Sequence, residues 1–309
     1  MSRNAFEELR VQLRTLKWLG VLRFNIDFEK CLVQENASEE RSAWWYMISV
    51  LCICCSLIIY SSYFPSHFIM GKHNSTGNCY ALINIRCCSM VTMLAYIQLY
   101  VQRCRFANLL QSMLQLNRIS GSRTGAVAFG FPYILHLSLF VICMLNYGHG
   151  YWAAGVRLTT IPIYLIQYGL SYLILGQVVV LFVCLQRILF SILKHYNQKL
   201  LEHFKSRKEC QGFNLHFRNY AEVMWLSHVE INSCFGLLLV PLTGLILLLT
   251  PSGPFYLIST IFEGRFRQNW RFVFMSLTAA FWSLPWVALL VLAMGVIDVQ
   301  NEVSNFLVG

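Results

Sequence analysis

The sequence predicts an all-α, polytopic membrane helical bundle of six transmembrane helices, with spans four and five extended into the cytoplasm as helices. Three observations predict it. Hydrophobic residues make up 57% of the 309 and charged residues only 12%, about half the ~25% charge of a soluble domain. Residues 158–186 carry no Asp, Glu, Lys or Arg, enough to cross a hydrocarbon core of ~30 Å with a helix of about 20 residues. Directly after them come Arg187, Lys194, Lys199, Lys205, Arg207 and Lys208, between apolar residues Leu189, Leu193, Tyr196, Leu200 and Phe204 at helical spacing. Basic residues gather on the cytoplasmic side, so this fourth span runs from outside to inside. The sidedness of the rest follows.

Residues 1–41 lack the early apolar core of a signal peptide. Phe6, Leu9, Leu13 and Leu16 recur at helical spacing among Arg3, Arg10, Arg14 and Lys17, which predicts an amphipathic cytoplasmic helix on the inner membrane face or against the protein itself. The first span lies within 42–71 and opens on Trp44, Trp45 and Tyr46 as an interfacial belt. Its external loop holds Asn74-Ser75-Thr76, a glycosylation acceptor at Asn74; the sequon at Asn36 falls inside and is expected to be unused. The second span covers about 80–100 and returns to Arg103, Arg105, Arg118 and Arg123. The third uses the centre of 124–156, with Pro132 near its start, and a short loop at 148–152 leads to the fourth.

The cytoplasmic extension of span four is expected to end in a break at Cys210-Gln211-Gly212. Phe213, Phe217, Tyr220 and Met224 then form a second stripe climbing back to the membrane, and two extensions side by side would bury both stripes. The apolar run 231–262 contains Pro241, Pro251 and Pro254. Splitting it at Pro251 leaves too few residues for another crossing, so one kinked helix is the expectation. The sixth span is 272–297. The resulting units are the N-terminal segment 1–41, spans one to four in 42–185, a helical anchor segment at 186–228, spans five and six in 229–297, and a tail at 298–309. Both ends lie inside. Counted on this map, eighteen Lys and Arg lie inside and five outside, with Arg86 in a span. The cluster Arg265, Arg267 and Arg271 is the part that runs against the rule.

Several functions are excluded by what the pattern lacks. The net charge of +10 is spread between apolar runs, as a topology signal rather than a nucleic-acid patch. The twelve cysteines sit mostly in or beside apolar runs, where they act as small hydrophobes. Cys79 is placed alone in an external loop, so no disulfide framework is implied. The histidines show no metal spacing, no serine sits in a nucleophile elbow, and no carboxylate chain or inverted repeat suggests coupled transport. No catalytic residue, metal site or cofactor is expected.

Intramembrane charge is costly and usually purposeful. Arg86, near the outer end of span two, either snorkels to the surface or lines a polar cavity. Aromatic and polar side chains gather near the outer ends of the spans. Tyr147, Tyr151 and Trp152 close the third, Tyr164, Gln167 and Tyr168 open the fourth, Tyr256 ends the fifth, and Trp270 and Phe274 begin the sixth. Aromatic faces with a few hydrogen-bonding tips suit a small neutral or weakly polar ligand. Each of these residues equally suits an interfacial belt.

This layout resembles the insect gustatory receptors, seven-span chemoreceptor channels with a cytoplasmic N-terminus. The resemblance rests on the basic N-terminal helix, the extended fourth span and the long second internal loop. It also rests on two segments, Val229-Glu-Ile-Asn-Ser-Cys-Phe-Gly236 and the run from Ala293 through Asp298, Asn301 and Glu302 to Leu307. It implies a taste receptor of the ligand-gated cation-channel type, at the plasma membrane of a sensory neuron. A tastant would bind in the outer half of the bundle, and homo- or hetero-tetramers would form. It also implies a pore-lining seventh span with a Thr-Tyr…Gln-Phe signature. The sequence ends at Gly309 before such a span, so conduction is not expected of these residues alone. An odorant receptor of the same inverted topology and a G-protein-coupled receptor are the alternatives. The ligand class stays open among sugars, bitter compounds, carbon dioxide and pheromones.

Overall fold

The computed structural model describes residues 5–22, 24–27, 30–35, 37–68, 75–120, 127–153, 161–206, 213–251 and 286–294, with 254, 255, 258, 261 and 262. Eight helices lie in order along most of it: α1 (Ala5–Trp18), α2 (Ala37–Tyr63), α3 (Ser75–Val101), α4 (Arg103–Ser120), α5 (Val127–Ala153), α6 (Ile161–Ser206), α7 (Phe213–Trp225) and α8 (Ile231–Leu249). Residues 286–294 form a further helical segment, α9. Among the described residues, four stretches are long and apolar enough to cross a membrane: Trp44–Tyr63, Leu82–Val101, Gly169–Glu202 and Phe213–Leu249. In α5 the shorter apolar helix Phe131–Asn146 occupies the predicted third span. Most of the predicted sixth span falls outside the described residues. The all-α membrane bundle therefore stands.

The centre of the bundle is α6, one unbroken helix of 46 residues. From Ser171 to Leu193 nearly every side chain is buried, as expected of a helix that is apolar all round. α5 runs antiparallel beside it, and α3, α4 and α8 close the other sides. α2 is mostly exposed and packs chiefly on α3. Small residues set the close approach of α5 and α6. A Cβ on Gly176 would sit 1.9 Å from His136 Nε2, and one on Gly169 would sit 2.8 Å from Met144 Sδ.

α1 is the predicted amphipathic helix, with Leu9, Leu13 and Leu16 buried against α5 and α6. It closes on Gly20 in the left-handed region (φ 70°), with Val21 and Leu22 N–H both returning to Leu16 O (2.9 and 3.3 Å), a helix stop that favours glycine. A Cβ there would lie 2.7 Å from Tyr46 Cβ, so Gly20 also lets α2 approach.

Four features differ from the sequence expectation. A two-stranded antiparallel hairpin, β1 (Phe24–Asp27) and β2 (Leu32–Glu35), pairs Phe24 with Glu35. An isolated hairpin is marginal in water. Here Gln111 of α4 accepts from Val33 N–H (2.7 Å) and donates to Cys31 O (2.8 Å), serving β2 as a third strand would. Second, the basic segment after span two is helical: α4 follows α3 with a break at Gln102 and buries Phe106, Leu109, Leu110, Met113 and Leu114. Third, residues 148–152, expected as a loop, continue α5. Glycine weakens a helix by about 1 kcal/mol, but at a membrane edge the helix keeps its amides paired, and Gly148 lies beside Leu165 (3.7 Å to a built Cβ). Fourth, Cys79 belongs to α3 rather than to a loop, because that helix begins one turn earlier than its apolar run.

The second stripe is only partly realised: Phe213, Tyr220 and Met224 are half-buried, Phe217 is exposed, and the buried face of α7 is Asn219 and Val223. α7 lies along the lower part of α6, and Asn219 Nδ2 donates to Tyr196 Oη (3.2 Å). α7 passes into α8 through a π-turn, Leu226–Glu230, closed by Ile231 N–H on Leu226 O. The buried residues Asn219, Val223, Ser227, Ile231, Cys234, Leu238, Leu242, Leu245 and Leu249 make eight turns at about 3.75 residues each, against 3.6 for an α-helix. The extra residue of the π-turn keeps that stripe on one face. Pro241 is carried within α8, and the interruption comes at Thr250–Pro251. Helical bonding resumes with Phe255 N–H on Pro251 O (3.0 Å). The expected break at 210–212 lies outside the described residues.

Candidate functional site

The antiparallel α5–α6 pair decides which of the predicted ligand residues share one place. His136 faces Gly176, Phe140 and Met144 face Gly169, and Gly148 faces Leu165. Continued by the same register, the last turns of α5, with Tyr147, Tyr151 and Trp152, lie beside the first turns of α6, with Tyr164, Gln167 and Tyr168. Both sets thus stand at one end of the bundle. Among them the described side chain is Trp152, exposed, its ring 5.7 Å from that of His149. Tyr256, Trp270, Phe274 and Asn74 lie outside the described residues.

Arg86 is elsewhere, on α3. Its Nε donates to Ser61 Oγ (3.5 Å) and its Nη2 to Ser61 O (3.3 Å), and Ser61 is fully buried on α2. The guanidinium thus ties α2 to α3, and the described contacts do not bring it to the α5–α6 end.

About two to three helical turns deeper along α6, the bundle holds a polar and aromatic cluster that sequence reasoning missed. It joins Gln12 of α1, His136 of α5, Tyr172 and Gln177 of α6 and Trp286 of α9, all at most 1% exposed. Gln177 Nε2 donates to His136 Nδ1 (2.9 Å), which places the imidazole proton on Nε2. Gln12 Nε2 donates to the Gln177 carbonyl (3.5 Å). The Tyr172 ring sits 4.9 Å from that of His136, stacks on Phe140 at 6.2 Å, and meets Trp286 edge-on at 5.1 Å. Such pairs contribute about 0.5–1.5 kcal/mol beyond their burial.

Buried polar atoms are almost always hydrogen-bonded. Among the described residues, Oε1 of Gln12 and Gln177 and Nε1 of Trp286 have no such partner. One donor and two acceptors framed by aromatic faces are chemistry suited to a small, weakly polar molecule. A polar side chain inside an uncharged apolar run was the available signal, at His136 and Gln177. The four helices that bring these residues together lie far apart in sequence, so the grouping itself was not visible. Among the described residues, no group of three or more His, Cys, Asp or Glu could hold a metal ion.

The pattern of the 7tm chemosensory receptor family matches residues 9–307. Gustatory and pheromone receptor 39a, isoform D, of Drosophila melanogaster is 72% identical over 305 residues, covering 99% of this chain and 80% of that protein. Isoform A of the same receptor is 34% identical over 299 residues, covering 96% and 78%. The chain belongs to the insect gustatory receptor family. The gustatory receptor resemblance drawn from layout is thereby confirmed, and the chain is matched to receptors rather than to enzymes. As a chemosensory receptor it is a membrane protein, in keeping with its apolar helices.

Proposed function

We propose that this receptor detects a small, weakly polar molecule bound between α5, α6 and α9, and that binding gates a cation pathway in the assembled receptor. The observation that carries this reading is the cluster around His136 and Tyr172, in which Oε1 of Gln12 and of Gln177 and Nε1 of Trp286 have no hydrogen-bond partner among the described residues. The aromatic residues on the outer turns, Tyr147, Tyr151, Tyr164 and Tyr168, would form the approach, and the cluster the floor. Selection by aromatic faces with few hydrogen bonds favours compounds of low polarity over sugars, because a sugar demands many more polar partners. The matched relatives are named as pheromone as well as gustatory receptors, which supports the same class.

A ligand shifts a gate only by its differential affinity for the two states. The residues that touch it should therefore alter sensitivity more than surface expression. Calcium imaging of cells expressing the receptor, against a panel of hydrocarbons, esters, alkaloids and sugars, tests this directly. Tyr164→Ala and Trp270→Ala are expected to abolish the response with surface expression unchanged. Retained dose–response curves would remove both from the site. The plasma-membrane location, the cytoplasmic termini and a tetrameric assembly belong to the same proposal.

A further inference from the structure

We propose that the π-turn Leu226–Glu230 is a hinge between α7 and α8, locked by the ion pair of Arg105 with Glu230. α7 lies along the extension of α6, whereas α8 lies against α3 and α6 within the apolar bundle. The turn is therefore the covalent link between the two parts. It contains one residue more than an α-turn. Relaxing the turn to α geometry rotates everything on one side of it by about 100°, giving two discrete registers rather than a continuous bend. π-turns inside α-helices are often found at functional sites, and hinges are residues that absorb such changes.

The turn is held from three directions. Arg105 Nε of α4 lies 3.3 Å from Glu230 Oε2, and its Nη1 donates to Ser233 Oγ. Gln186 of α6 donates to the Ser227 carbonyl (3.5 Å) and accepts from its hydroxyl (3.5 Å). Asn232 donates to the His228 carbonyl (2.8 Å). The side chain of Arg105 is 52% exposed and that of Glu230 13%. A half-solvated guanidinium is a weak lock that water can replace. The carboxylate beneath it is sheltered enough to seek its partner again. This hinge depends on neither the ligand site nor the membrane orientation.

Hydrogen exchange of the purified full chain in lipid nanodiscs tests the hinge. In the wild type, amides 226–231 should exchange about tenfold faster than those of 238–245, as in a locally opening segment. Deleting Val229 removes the extra residue while keeping both buried stripes in place, and should bring 226–231 to the rate of 238–245. R105Q and E230Q should each speed exchange at the turn by about two- to fivefold, the worth of an exposed pair, and R105Q/E230Q should go no faster than either alone. Arg105→Lys should keep part of the protection. Equal exchange in both segments of the wild type overturns the hinge, and so does indifference of the turn to R105Q and E230Q. A Val229 deletion that unfolds the whole chain also counts against it, since the extra residue would then be needed for folding rather than for movement.

Discussion

Single side chains settle where α5 and α6 meet. The absence of a Cβ at Gly176 is what admits the His136 ring, since that atom would stand 1.9 Å from Nε2. Gly176→Ala should therefore destabilise the receptor by about 1–3 kcal/mol, the usual cost of overpacking a filled interior. Adding His136→Ala should recover most of it. Melting temperatures of the two variants in detergent check this, and a double variant no more stable than Gly176→Ala would show that the contact is not what limits the site. His136→Ala by itself should shift ligand sensitivity, because it also removes the partner of Gln177 Nε2. At this scale the sequence spoke unevenly. A lone histidine in an apolar run marks itself, but nothing in the chain says that Gly176, forty residues on, makes its room. Trp286 resembled any other apolar residue of its span.

Helices were the most readable scale, and the reason is periodicity. The apolar stripes at Leu9, Leu13 and Leu16, and at Leu189, Leu193 and Tyr196, repeat at helical spacing and are buried where that spacing puts them. What stayed hidden depended on partners distant in sequence. The hairpin Phe24–Glu35 has only four-residue strands, and it is held by Gln111 from α4. Gln111→Ala should free it, since a partly buried amide and carbonyl lose their partner at about 1–3 kcal/mol. Faster exchange of the Val33 amide, with α6 unaffected, is the expected sign; an unchanged amide would assign the hairpin's stability to the Phe24–Phe106 contact (6.0 Å). The π-turn likewise followed from counting buried positions across α7 and α8, which requires knowing burial first.

At the scale of the whole molecule, the proposed sidedness rests on the distribution of Lys and Arg rather than on any contact. Eighteen inside against five outside predicts that tags at both ends of these 309 residues are hidden from antibody in intact cells. Asn74 should carry glycan, seen as a mobility shift lost in Asn74→Gln. A glycan at Asn36 would invert the map. Family membership was legible because the layout of long apolar helices with a basic extension is itself a signature. The ligand was not, because recognition depends on how residues from four helices converge.

Under the proposed function, the ligand is read at the cluster of His136, Tyr172, Gln177 and Trp286. The most direct measurement is the dose–response curve of Tyr172→Phe and Trp286→Phe against the best agonist found for the wild type. Tyr172→Phe keeps the ring and removes only the hydroxyl, whereas Trp286→Phe removes the indole N–H together with part of the ring. The account predicts a loss of sensitivity of about tenfold in each, the worth of one buried hydrogen bond, at equal surface expression. Curves superimposable on the wild type would place recognition elsewhere in the bundle.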